Sequence, residues 1–130
     1  MTTATQTRPS VAVWFEIPAD NFDRAVAFYS SIFAMDLKKE QFGPDLMAIF
    51  PRKEANGNSG CVAFGPDRKP GSNGPIVYLN ADGQLEKLLR RVEPAGGSIV
   101  VPLTVLPQNM GSYAVVRDTE GNHIGVHAAA

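Results

Sequence analysis

The sequence predicts an α+β domain of two tandem βαβββ modules, and three observations carry that expectation. Hydrophobic periodicity switches from two to three-and-four and back, twice along the chain. The stripe Phe22, Val26 and Tyr29 recurs 63 residues later at Leu85, Leu89 and Val92, and the acidic–basic pair Asp23-Arg24 recurs as Glu86-Lys87. Apolar matches alone could come from shared helical periodicity; the charge match and the shared order of elements favour duplication. A Pro- and Gly-rich stretch separates the copies. The expected layout is a loose tail over 1–10, then one domain over 11–130, with modules at 11–66 and 75–128 and a linker at 67–74.

Val11 to Ile17 reads as the first strand, with Val11, Val13, Phe15 and Ile17 on one face and Trp14 and Glu16 on the other. Pro18 has no N–H and stops the ladder. Asp20 or Asn21 caps a helix that runs to about Phe33, with Phe22, Ala25, Val26, Tyr29, Ile32 and Phe33 as its stripe. Such a stripe needs a sheet to cover it. Leu37–Phe42 is a polar, edge-like strand. Gly43-Pro44-Asp45 turns the chain into Leu46–Phe50, and Gly60–Phe64 follows as a more buried strand. The second copy runs from a strand at Pro75–Asn80 to a helix capped by Asp82. Pro94 and Gly96-Gly97 end that helix. Ser98–Val105 is a strand interrupted at Pro102. The closing hairpin is Tyr113–Arg117, the turn Asp118–Asn122, and a strand on which Ile124 and Val126 alternate with His123, Gly125 and His127.

Composition narrows the function. At 130 residues and 44% hydrophobic content the chain can bury a core rather than stay disordered. A formal net charge of −1 without a basic run speaks against nucleic acid or anionic membrane as a partner. No apolar run spans a bilayer, and no secretory h-region opens the chain. The one cysteine, Cys61, excludes an internal disulfide and fits a reducing, cytoplasmic setting. Its apolar neighbours make it a small buried hydrophobe.

Several residues could carry chemistry. Trp14 and Glu16 share a face, and a carboxylate in an apolar cup would be held up by desolvation as a general base. The plainer expectation for Glu16 is an ion pair with Arg117 or a lysine. Tyr113 and Arg117 alternate on the penultimate strand. Tyr113 or Tyr78 could wall a pocket, and Arg117 could hold a ligand carboxylate. His123 and His127 lie about 13 Å apart on a strand, too far to share one metal, so at most one could join Glu16. No nucleophile elbow and no phosphate-cradling glycine loop is present.

Three stretches resemble the vicinal oxygen chelate superfamily, which includes glyoxalase I, extradiol dioxygenases and bleomycin-resistance proteins. They are Phe15-Glu16-Ile17-Pro18 through Asp23–Tyr29, then Arg91–Gly97, and Asp118–His127. The nearest likeness is to its small glyoxalase-related members. The resemblance implies an open, cupped mixed sheet, a homodimer, and one divalent metal held by up to four side chains. Mapped on this chain, the last ligand falls at Gly125, another within Met47–Phe50, another near Pro75 or Ile76, and the first near Trp14 or Glu16, so that Glu16 alone could serve. The expectation is therefore a small-molecule-binding protein without the family metal. Glu16 is its candidate catalytic residue, and Trp14, Phe50, Tyr78, Tyr113, Arg117 and His127 line its pocket. The alternative is a metal-dependent lyase, isomerase or dioxygenase using Zn, Ni, Mn or Fe.

Overall fold

A computed structural model describes residues 10–54 and 57–130; the expected tail, apart from Ser10, lies outside them. The elements are β1 (Trp14–Pro18), α1 (Phe22–Phe33), β2 (Lys38–Phe42), β3 (Asp45–Ile49) and β4 (Ser59–Phe64), then β5 (Tyr78–Asn80), α2 (Leu85–Val92), β6 (Ser98–Val105), β7 (Ser112–Arg117) and β8 (His123–Ala128). They form two four-stranded sheets with the same internal order, β1-β4-β3-β2 and β5-β8-β7-β6. In each, the first strand pairs with the last in parallel and the remaining pairs are antiparallel. The repeat read from helical spacing is thus a repeat of topology. Among the described residues no helix is long and apolar enough to cross a membrane.

Both helices cover one face of the sheets. Ala25, Phe28, Tyr29 and Ile32 of α1 and Leu88 and Val92 of α2 are buried against Ile17, Ala48, Val62, Ala114, Val116 and Val126. Each fully buried large side chain contributes roughly 1.5–3 kcal/mol of transfer free energy. Asn21 caps α1 by accepting the Arg24 N–H at 3.0 Å. The same parity sends Trp14 and Glu16, Cys61, Tyr78, Tyr113 and Arg117, and His123, Gly125 and His127 to the opposite face.

Four expectations need correction. The ladder of β1 begins at Trp14 because its partner β4 begins at Ser59, so Val11 and Val13 are exposed. The strand expected from Pro75 shortens to Tyr78–Asn80, since Pro75 can donate nothing to a ladder. Gln84, not Asp82, stands at the N-cap of α2 and makes no side-chain cap bond. Asp82 Oδ1 instead accepts the Ala129 N–H at 2.6 Å and ties down the chain after β8. Pro102 does not break β6. That strand lies at the sheet's edge, where a missing N–H is tolerated, and its register shifts between Ile99 and Val101 and again between Val101 and Thr104.

The turn Asp118–Asn122 joins the halves. Buried Asp118 accepts the Tyr29 hydroxyl at 2.6 Å together with the N–H groups of Glu120 and Asn122. Burial, and then the Asp118 charge beside it, raise the Tyr29 phenol well above its usual range. Glu120 Oε1 accepts the N–H groups of Asp20 and Asn21 at 2.9 and 2.8 Å, and Oε2 meets Arg24 Nε at 2.7 Å. Burial alone would raise the Glu120 carboxyl. The Arg24 guanidinium, the Asn21 and Asp20 N–H groups and the Thr119 hydroxyl reverse this and hold it at about 2. Asn122 donates to Pro18 O at 2.8 Å and accepts the Gly71 N–H at 3.0 Å, so β1 and the connector are fastened to the same turn.

Candidate functional site

β1 and β5 are the facing edges of the two sheets, and no ladder joins them. Two cavities occupy this seam. One, of about 410 Å³, is an apolar slot between Trp14, Phe15, Ile76 and Tyr78. The other, of about 530 Å³, is lined by Glu16, Pro18, Lys69, Asn73, Asn122 and His123 among others. Val77 lines both, and both take successive residues of β1, so they adjoin. The polarity change follows the connector 65–77, whose Lys69–Asn73 stretch lines the second cavity while its last residues, Ile76 and Val77, line the slot.

Glu16 is ion-paired, though not to Arg117 or a lysine. Arg68, from the connector, places Nη2 at 3.0 Å from Glu16 Oε1 and 3.3 Å from Asp45 Oδ2. Its Nε is buried without a partner among the described residues. Cys61 lies opposite Glu16 on β4 and is fully buried. Burial, then the Glu16 charge, push its thiol up to about 12, with Arg68 opposing, so at neutral pH it is neither thiolate nor nucleophile.

On the second sheet the same face gathers Tyr78, Tyr113 and His127. The two tyrosine rings meet edge-on at 6.1 Å, and Tyr113 stands opposite His127. His127 Nε2 is 2.8 Å from Met110 O, which engages its ring. Arg117 stands opposite His123, exposed, with its guanidinium near Gly121 in the turn. Arg52 lies over the Trp14 ring, its guanidinium carbon 5.9 Å from the centroid. Of the predicted pocket residues, Trp14, Glu16 and Tyr78 meet at the seam and Tyr113 and His127 extend it. Phe50 does not belong. It is buried against Phe15, Tyr29 and Phe33 on the helix side, because its parity follows Ala48. Arg68, Lys69 and Asn73 escaped the sequence reading, since a Pro/Gly-rich connector looks like a spacer.

The metal positions also change. Because β8 pairs with β5 as β4 pairs with β1, the counterpart of Gly125 in the first module lies on β4 and not within Met47–Phe50. Cys61 faces Glu16 there as Gly125 faces Tyr78. These four positions fit a divalent metal poorly. Glu16 is engaged by Arg68, Cys61 keeps its proton, and Gly125 has no donor, while a Cβ on it would run into the Tyr78 ring. Among the described residues no three His, Cys, Asp or Glu side chains converge as a metal site.

A family model for the Glyoxalase/Bleomycin resistance protein/Dioxygenase superfamily matches residues 12–126. No curated protein matches the sequence. Among solved structures, TnmS3, an antibiotic binding protein from Streptomyces sp. CB03234, is 19% identical with a TM-score of 0.63, over 96% of this chain and 100% of that one. A glyoxalase/bleomycin resistance protein/dioxygenase family enzyme from Burkholderia phytofirmans PsJN is 13% identical with a TM-score of 0.66, over 91% and 98%. A glyoxalase I variant from Zea mays is 16% identical with a TM-score of 0.67. That match covers 88% of this chain but 44% of the maize one. At such identities these likenesses show the fold alone.

Proposed function

The chain belongs to the glyoxalase/bleomycin resistance protein/dioxygenase superfamily, and from that premise we propose that it binds a small organic molecule along the β1–β5 seam without a metal. The observation that carries this reading is the chemistry of the seam walls. Trp14 and Tyr78 offer aromatic surface that is 38% and 52% exposed, while the side chains nearest the expected metal position are paired, protonated or absent. Aromatic faces at the mouth of a concave site bind apolar ligands at low entropic cost. TnmS3, an antibiotic binding protein of the same fold, supports small-molecule binding. Glu16 serves as the anchor of the Arg68 ion pair and not as a general base. The proposal extends to a homodimer, in which a second copy would cover exposed apolar side chains such as Phe42 and Val105; light scattering tests it.

Trp14 is the chain's single tryptophan, so its emission reports occupancy of the slot directly. Hydrophobic aromatic compounds should change Trp14 emission saturably and raise the melting temperature by mass action. The Trp14→Ala variant should lose most of that thermal shift. Stoichiometric Zn, Ni, Mn or Fe in protein purified without chelator would overturn the reading in favour of a metal-dependent lyase, isomerase or dioxygenase.

A further inference from the structure

We infer that Asn73 is a modification site: in the folded protein its side-chain amide deamidates to aspartate and isoaspartate, which puts a carboxylate on the wall of the larger seam cavity. Asn73 precedes Gly74 in the connector, both residues are exposed, and Asn73 lines that cavity. Gly74 has a φ of +103°, and a Cβ built on it would meet nothing within 4 Å. With no side chain beside it, the Gly74 nitrogen has open access to Asn73 Cγ. Neither the Gly74 N–H nor the Asn73 amide makes a hydrogen bond among the described residues, so no bond has to break before they meet. The Gly74 nitrogen gives its proton to water and bonds to Asn73 Cγ. The Cγ–Nδ2 bond breaks, Nδ2 takes up a proton and ammonia leaves, which closes a succinimide ring. Water then opens the ring at Cγ to give aspartate, or at the main-chain carbonyl carbon to give isoaspartate, whose backbone is one atom longer. One water is consumed and one ammonia released, with no oxidant or reductant.

The other asparagines are held. The second Asn-Gly pair is Asn56-Gly57, and the Gly57 N–H donates to Glu54 O at 2.9 Å. Breaking a hydrogen bond worth about 1 kcal/mol before attack slows the reaction about fivefold. Elsewhere the following residue carries a Cβ, and a hydrogen bond intervenes as well. Asn21 accepts the Arg24 N–H, Asn58 donates to Ala12 O, and Asn80 accepts the Asp82 N–H. Asn122 is bonded through both amide atoms, and after Asn109 the Met110 N–H donates to Pro107 O. The extra main-chain atom of isoaspartate falls between two fixed points, the Gly71 N–H held by Asn122 and the start of the β5 ladder at Tyr78. The connector between them absorbs it, and the sheets keep their register. The new carboxylate shares the cavity wall with Glu16, so the wall gains one negative charge as the protein ages. The chemistry at Asn73 is the same whether or not the seam takes a ligand.

The test incubates the folded full chain at pH 8 and 37 °C for several days. Tandem mass spectrometry of its peptides then locates each amide-to-acid conversion, and an isoaspartyl methyltransferase labels the isoaspartate. Asn73 should convert first, at least about fivefold faster than Asn56, and yield both products. The aged protein should move by one negative charge in isoelectric focusing and comigrate with the Asn73→Asp variant, while its melting temperature stays that of fresh protein. Asn73→Gln should lack both the charge shift and the methyltransferase label. Conversion at Asn56 or another asparagine as fast as at Asn73 would overturn the assignment. So would an Asn73 that stays intact in the folded chain and reacts only in urea, since the connector would then shield it.

Discussion

Replacing Glu120 with glutamine should destabilise the fold by about 1–2 kcal/mol at pH 7, and the deficit should vanish in acid. The folded protein holds this carboxyl at about 2, against an ordinary value of 4.5. At about 1.36 kcal/mol per tenfold in proton affinity, that difference bounds the contribution of the charge at about 3.4 kcal/mol. The true figure is smaller, because the partner Arg24 side chain is 51% exposed and water screens it. Halving the bound leaves about 1.7 kcal/mol. Glutamine retains an Oε1 for the Asp20 and Asn21 N–H groups but puts an NH2 where Oε2 accepts from Arg24 Nε and the Thr119 hydroxyl, so it removes the charge, its interaction with the N-terminus of α1 and that acceptor. Because the folded value is depressed, the stabilisation is complete above about 4.5 and is lost as pH falls towards about 2. Urea denaturation of both proteins, at intervals from pH 7 to pH 2.5, measures the gap. A gap under about 0.5 kcal/mol at pH 7, or one that persists unchanged below pH 3, would refute the account of Glu120.

Tyr29→Phe should cost about 1–3 kcal/mol in urea denaturation without changing the m-value. It removes the 2.6 Å donor to buried Asp118 and leaves that oxygen short of a partner. Gly125→Ala should cost about 1 kcal/mol because the new methyl displaces the Tyr78 ring. In a Tyr78→Ala background the same change should become neutral or stabilising, which a double-mutant cycle reads as coupling. Cys61 should be inert to a disulfide reagent at pH 8 in the native protein and should titrate as one thiol only after unfolding, given its full burial and a thiol held at about 12. Rapid modification of the native chain would refute that placement.

The architecture was largely legible in the residues, and the site only partly. Periodicity alone located α1, because Phe22, Ala25, Val26, Tyr29, Ile32 and Phe33 make one stripe, and Asn21 is a strong cap. Alternation likewise placed Ile124 and Val126 opposite His123 and Gly125. What escaped depends on pairings between distant residues. Arg68 reaches Glu16 and Asp45, 52 and 23 positions away, and no local pattern announces that. The sequence leaves Phe50 free to face the pocket, because no spacing rule says which face of a short strand meets a helix before the topology is known. The ligand position expected within Met47–Phe50 belongs on β4, because the sheet order makes β4 the counterpart of β8. Asp82 has the chemistry of a helix cap but finds the Ala129 N–H instead, a case of tertiary structure overriding local preference.

The pentapeptide Asp118-Thr119-Glu120-Gly121-Asn122 is the most motif-like run in the chain, and it acts as a rivet. Its side chains clasp α1, the end of β1 and the connector, and only a wall of Asn122 reaches the seam. Chemistry on the opposite sheet face can therefore drift, from gripping an ion to cradling an organic guest, without loosening what keeps the halves together. A chain recognised by that signature alone is recognised by its fasteners, and what its other sheet face holds has to be read from that face.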